Sequence, residues 1–194
     1  MDVPDVLGIT MRVAHALEAI GVSYRIGGSL ASSAFGIARA TLDADLVADL
    51  KPEHIEPLVS RLQGEFYVSP EAVRQAVQRR SSFNLIHLAS MFKVDVFVLK
   101  PRPFDQQAFA RGVRRTVDEA GTFEAFFTTP EDIVLHKLEW YRQGGEVSER
   151  QWQDVLGVLK VQGDQLDRAH LKRWAGELGV TALLAKAFEE AGLR

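Results

Sequence analysis

The chain has 194 residues, 46% of them hydrophobic, a formal net charge of −3 and no cysteine. That length makes one domain, or a small domain with an appendage, and buries a proper core without staples. The missing thiols exclude disulfides, zinc–thiolate sites and cysteine nucleophiles, and they suit a reducing cytoplasm. The mildly acidic balance argues against a broad, sequence-blind nucleic-acid footprint, although Arg74, Arg79 and Arg80 form one basic spot and Arg111, Arg114 and Arg115 another. No apolar run approaches the roughly 18 residues of a membrane span. Met1-Asp2-Val3-Pro4-Asp5 carries acids where a signal peptide would carry bases. The expected location is cytoplasmic, with no membrane partner.

Residues 4–20 read as an amphipathic helix, because Val6, Ile9, Val13, Leu17 and Ile20 recur at helical spacing; Gly21 stops it. Residues 23–26 form a short strand that Gly27-Gly28 turns into a helix over 29–35. The next strand covers 42–48, and helices follow over 52–62 and 71–79. Residues 83–88 and 93–99 read as neighbouring strands across the link Ala89-Ser90-Met91. Pro101-Arg102-Pro103 breaks the pattern, a short helix covers 104–110, and 113–117 with 122–127 make a late hairpin. From Thr129 the texture changes. Thr129-Pro130-Glu131-Asp132 starts a helix, with proline in the first turn and acids at the positive dipole end. Helices over 130–142, 148–161, 167–178 and 181–190 are separated by Gly144-Gly145, Gly163 and Gly179. The reading is a mixed α+β fold: a sheet module flanked by helices over 1–128, then a helical subdomain over 129–194.

Three features carry chemistry. A strand that ends in Gly27-Gly28 and enters a helix at Ser29 exposes backbone N–H groups to a phosphate, or is simply a tight turn with an ordinary cap. Asp43 and Asp45, two apart on one strand, share a face, while Ala44 and Leu46 point into the core. Asp95 sits in a second strand whose Val94, Val96 and Val98 face away from it. Carboxylates so clustered repel unless cations lie between them or water solvates the face. Two magnesium ions clamping a phosphate would satisfy them. Arg39 and Thr41 flank the acidic strand and meet phosphate, acceptor or solvent. His15, His54, His87, His136 and His170 lack metal-ligand spacing. Trp140, Tyr141, Trp152 and Trp174 read as core of the tail helices.

This spaced set resembles the DNA polymerase β-like nucleotidyltransferase superfamily, whose pattern is Gly-Gly/Ser, a short helix, Asp-x-Asp and a single later Asp. The run Gly27-Gly28-Ser29-Leu30-Ala31 to Arg39-Ala40-Thr41-Leu42-Asp43-Ala44-Asp45-Leu46-Val47 is most similar to the minimal branch that includes AbiEii/MenT-type toxin nucleotidyltransferases. That branch also carries a lysine on a helix after the sheet and an aspartate on the next helix. Lys137 and Asp154 sit where those fall. The resemblance covers the chain to about residue 160. It implies NMP transfer from ATP or another NTP, Mg2+ or Mn2+ as cofactor, and Gly27, Gly28, Ser29, Arg39, Thr41, Lys137 and Asp154 around the nucleotide. Asp43, Asp45 and Asp95 would be metal ligands, with Asp95 a ligand or the base. The implied acceptor is an RNA such as tRNA, a protein hydroxyl or a small molecule, and a cognate antitoxin or a second copy is an implied partner. The alternative is a non-catalytic NTP-binding or antitoxin-like module on the same fold.

Overall fold

Alternation of apolar and polar residues on two central strands sets the architecture. The structure is a computed structural model and describes residues 5–116 and 124–193. In chain order the elements are α1 (Val6–Glu18), β1 (Tyr24–Ile26), α2 (Gly28–Phe35), β2 (Asp43–Ala48), α3 (Ile55–Leu62), β3 (Phe66–Tyr67), α4 (Pro70–Arg79), β4 (Ser82–His87), β5 (Lys93–Val98), α5 (Pro103–Ala110), β6 (Val113–Thr116), β7 (Glu124–Phe127), α6 (Pro130–Gln143), α7 (Glu149–Gln162), α8 (Arg168–Leu178) and α9 (Thr181–Glu190). They fall into two compact units. The first holds Thr41–Phe127 with the chain up to Gly27; the second holds Gly28–Ala40 with the chain from Thr128 onward.

The first unit is built on a seven-stranded sheet in the order β3-β4-β5-β2-β1-β7-β6. The pairs β2–β5 and β1–β7 are parallel, and the other neighbours are antiparallel, so the sheet is mixed. Burial alternates strictly along β2 and β5. Ala44, Leu46, Ala48, Val94, Val96 and Val98 are buried, joined by Tyr24, Ile26, Phe83 and Leu85 from the flanking strands. Helices α1 and α4 pack on the sheet, and α3 contacts both. Each fully buried Leu, Ile, Val or Phe contributes about 1.5–3 kcal/mol. The intervening residues Asp43, Asp45, Lys93 and Asp95 stay half-buried on the opposite face.

Two differences from the sequence reading have plain causes. Strand β3 is two residues long, too short to show an alternation, and it pairs with β4 at the sheet edge. The late hairpin β6–β7 does form, but β7 also adds to the main sheet by pairing Phe127 with Ile26 of β1. Val117, Thr122 and Phe123 of that hairpin, and Pro4 of the first helix, lie outside the described residues.

The second unit is helical. Thr129 caps α6 by accepting from Asp132 N, with Pro130 in the first turn. The acids of that turn do more than meet the dipole. Asp132, fully buried, accepts from Thr129 Oγ1 at 2.7 Å and meets His170 Nε2 at 2.7 Å. Glu131 Oε1 accepts from Asp167 N at 2.9 Å, tying α6 to the start of α8. Trp152 and Trp174 are buried, as expected for core residues; Trp140 is not, at 44% exposure. It lies at an outward position of α6, one turn beyond Lys137.

The second unit also claims residues 28–40, which the sequence reading had placed with the sheet module. The cause is a close backbone approach within this unit. A Cβ on Gly36 would lie 2.8 Å from Val158 N and 2.9 Å from Gly157 C, and one on Gly157 would lie 3.3 Å from Ile37 N. Glycine at both positions lets the end of α2 dock on α7 main chain to main chain. Gly36→Ala is therefore expected to cost about 1–3 kcal/mol, seen as a lower urea midpoint with an unchanged m-value.

Candidate active site

In the first unit, the register of β2 and β5 brings the acidic residues together. Asp45 is paired directly with Asp95 and Asp43 with Lys93 across parallel strands. Paired residues share a sheet face, and so do residues two apart. Asp43, Asp45 and Asp95 thus stand on one face, as their spacing predicted. Asn84 of β4 is paired with Asp95 on its other side. Gly27 lies beside β2, its N–H donating to Asp45 O at 2.9 Å.

The side chains on that face are engaged locally. Thr41 Oγ1 donates to Asp43 O at 2.9 Å and to Asp43 Oδ1 at 3.1 Å, so Thr41 orients the first carboxylate. Lys93 Nζ meets Asp95 Oδ2 at 2.7 Å, and Asn84 Nδ2 donates to Asp95 Oδ1. The Lys93 side chain is 43% exposed against 14% for Asp95. The hydrogen bond to Asp95 raises the Lys93 pKa; partial burial opposes it, and the charges of Asp95, Asp43 and Asp45 add to it. Among the described residues, no group of three or more His, Cys, Asp or Glu side chains is placed so that it could hold a metal ion. The three carboxylates share a face, but Asp95 is turned to an ammonium. Sequence reading missed Lys93 and Asn84. The signal for Lys93 was its parity: it lies two residues before Asp95, on the same face.

In the second unit, four predicted residues meet in one cluster. The chain enters this unit at Gly28, whose φ of 52° is a left-handed conformation that favours glycine. Helix α2 begins there, so Ser29 lies inside its first turn rather than at its cap. Its hydroxyl accepts from Arg39 Nη2 at 2.7 Å. Arg39 also grips Asp154 with both prongs, Nε to Oδ1 at 2.7 Å and Nη2 to Oδ2 at 2.7 Å. Lys137 Nζ donates to Asp154 Oδ2 at 2.8 Å. Asp154 is 5% exposed and Lys137 11%.

Local sequence explains the convergence. Asp154 and Gly157 are three apart on α7 and share one side of it. The close approach at Gly157 brings in the end of α2, and Arg39 follows three residues after Gly36. Lys137 is carried by α6, which packs on α7 and is anchored by the buried Ile133, Val134 and Leu138. Burial is the largest influence on the Asp154 carboxyl and opposes its ionisation. The hydrogen bonds from Arg39 and Lys137, with their charges, outweigh it and hold the pKa below the usual carboxylate range. Asp154 is thus held by Lys137 and Arg39 together. Two cations on one carboxylate leave the cluster with one net positive charge.

No protein-family model matches the sequence, and no curated protein matches it. Solved structures do. The complex of ANT(2")-Ia with adenylyl-2"-tobramycin is 11% identical, with 89% of this chain and 95% of that one covered at a TM-score of 0.55. An antigenic nucleotidyltransferase-like protein from Paracoccidioides brasiliensis is 19% identical, with 93% and 91% covered at 0.54. The lincosamide antibiotic adenylyltransferase LnuA, lincomycin-bound, is 12% identical, with 83% and 99% covered at 0.50. With its mixed sheet, its helices and these neighbours, the chain has the fold of the nucleotidyltransferases.

Proposed function

We propose that the protein is a metal-dependent nucleotidyltransferase that moves a nucleoside monophosphate from an NTP to an acceptor hydroxyl and releases pyrophosphate. The observation that carries this reading is the direct pairing of Asp45 with Asp95, with Asp43 two residues away on the same face. An all-oxygen donor set of this kind fits Mg2+ or Mn2+. Asp43, Asp45 and Asp95 would hold the ion after their side chains turn toward it, Asp95 once its oxygen is released by Lys93. A bound divalent ion would neutralise charge on the phosphates and ease the departure of pyrophosphate.

The chain's own residues supply the rest. Thr41 keeps Asp43 turned to the face. The acceptor oxygen attacks the α-phosphorus, the bond to the bridging oxygen breaks, and the acceptor proton passes to Asp95 if that carboxylate is the base. The cluster of Ser29, Arg39 and Lys137, with its surplus positive charge, suits phosphate oxygens. A lysine ammonium has three donors, and the bond to Asp154 takes one. Asp154 is a positioning residue in this scheme. Gly27 and Gly28 allow close approach of a phosphate to the backbone.

Pyrophosphate release is the test. Purified protein receives each radiolabelled NTP with Mg2+ or Mn2+ and tRNA, cell protein or a hydroxylated antibiotic of the kind named for the neighbours. Label is expected in one acceptor class. Label in tRNA or protein would favour the toxin-like branch and a cognate antitoxin; label in a small molecule would favour a modifying enzyme. Lys137→Ala is expected to weaken NTP binding and transfer about 10- to 100-fold, the worth of one charged hydrogen bond at roughly 1.5–3 kcal/mol. Lys137→Arg should rescue only in part, because guanidinium is planar and broader. NTP binding without pyrophosphate release from any acceptor would select the non-catalytic reading, which the engagement of Asp95 by Lys93 favours.

A further inference from the structure

We infer that Lys93 is a built-in counter-cation of the acidic face, which competes with a divalent ion for Asp95 and must turn away when that ion binds. This rests on the reading of Asp43, Asp45 and Asp95 as metal ligands and adds a control element to it. Strand register fixes where Lys93 stands. Lys93 is the direct cross-strand partner of Asp43, and it lies two residues from Asp95 on the same strand and face. It is the one cation of β2 and β5, and it stands between two of the three carboxylates. Its ammonium has chosen Asp95, at 2.7 Å.

The chemistry of that position explains why the three carboxylates can share a face at all. Like charges directly opposite across strands repel. An ammonium bonded to one carboxylate and close to the charges of the others cancels part of that repulsion. The same bond turns Asp95 toward the ammonium, and the three carboxylates as placed form no metal-holding group among the described residues. Lysine suits a displaceable ion. It is a point charge on a flexible stem, and at 43% exposure its head can move into water without crossing the core. Asn84 on the other side of Asp95 is neutral and can stay in place as the ion enters. A divalent ion therefore meets a face already neutralised in part, and its apparent affinity carries the cost of expelling the ammonium.

The experiment measures Mn2+ binding to the full chain without nucleotide, by the loss of the free Mn2+ electron paramagnetic resonance signal. Lys93→Met is expected to bind Mn2+ about tenfold more tightly than wild type, and Lys93→Gln to behave alike. Both should melt lower in EDTA and recover with Mn2+. Wild type offers a second readout. Acetylation of Lys93, followed by peptide mass spectrometry, should quicken several-fold as Mn2+ is added, because the ammonium is released. Equal or weaker Mn2+ binding by the folded variants, or unchanged Lys93 acetylation in a protein that does bind Mn2+, overturns the inference while the metal site stands. No Mn2+ binding by wild type or by either variant overturns the metal reading and this inference with it.

Discussion

Asp45→Ala is expected to abolish metal-dependent NTP binding and to lower pyrophosphate release by about 10³-fold or more, several kcal/mol of transition-state stabilisation. Asp45 stands between the other two carboxylates: it shares β2 with Asp43 and is paired with Asp95 on β5. Its removal leaves no two adjacent acids across the strands. The fold should persist, because Asp45 lies on the half-buried face, and Ala44 and Leu46 carry the packing on the other. The melting temperature should stay within a few degrees of wild type. Calorimetric titration of each NTP with and without Mg2+ checks the point. Equal binding by wild type and variant would show that the metal site is misassigned.

Asp154→Ala has the largest expected effect on stability. It leaves Arg39 and Lys137 facing each other, at 26% and 11% exposure, with no carboxylate between them. Breaking a buried ion pair from one side costs about 3 kcal/mol or more. For a chain of this size that is roughly 6–12 °C in melting temperature. Asp154→Asn keeps two polar contacts and should lose less. The pH dependence has a definite sign. The folded-state pKa of Asp154 is depressed, so its contribution is complete above the unfolded value near 4 and fades as pH falls through the lower, folded value. The gap in stability between wild type and Asp154→Ala should be full at pH 7 and close below about pH 4. Urea midpoints measured across that range decide it. A gap independent of pH would mean that the variant loses packing rather than charge.

Much of the first unit was legible because its signals are local. The period-2 alternation of Asp43-Ala44-Asp45-Leu46 and of Lys93 to Val98 determines which face each residue takes. The register of the parallel pair, Asp45 opposite Asp95, then brings the acids together. Proline and threonine at 129–130 mark a helix start by their own chemistry. What escaped reading was pairing over distance. Nothing near Gly36 announces that it will lie against Gly157, because a glycine in a loop and a glycine in a helix each have innocent local explanations. The grip of Arg39 on Asp154 follows from that crossing and was equally hidden. Asp132 was read as a dipole acid, and its bond to His170 depends on how α8 packs. Lys93 escaped reading as well, since its partner across the sheet depends on strand register.

The bond between Arg39 and Asp154 spans 115 residues of chain. A ribosome adding about 5–20 residues per second needs roughly 6–23 s to travel that distance. During that interval, α2 and the loop after it are already made but have no α7 to dock on, while β2 to β7 are being added to β1. The helical unit is thus the last to close, and its stretch from Gly28 to Ala40 waits in the nascent chain until α7, on which α2 packs, has been made. The order of synthesis therefore makes the cationic cluster a checkpoint: Arg39, Lys137 and Asp154 come together only in a molecule whose sheet has already been translated in full.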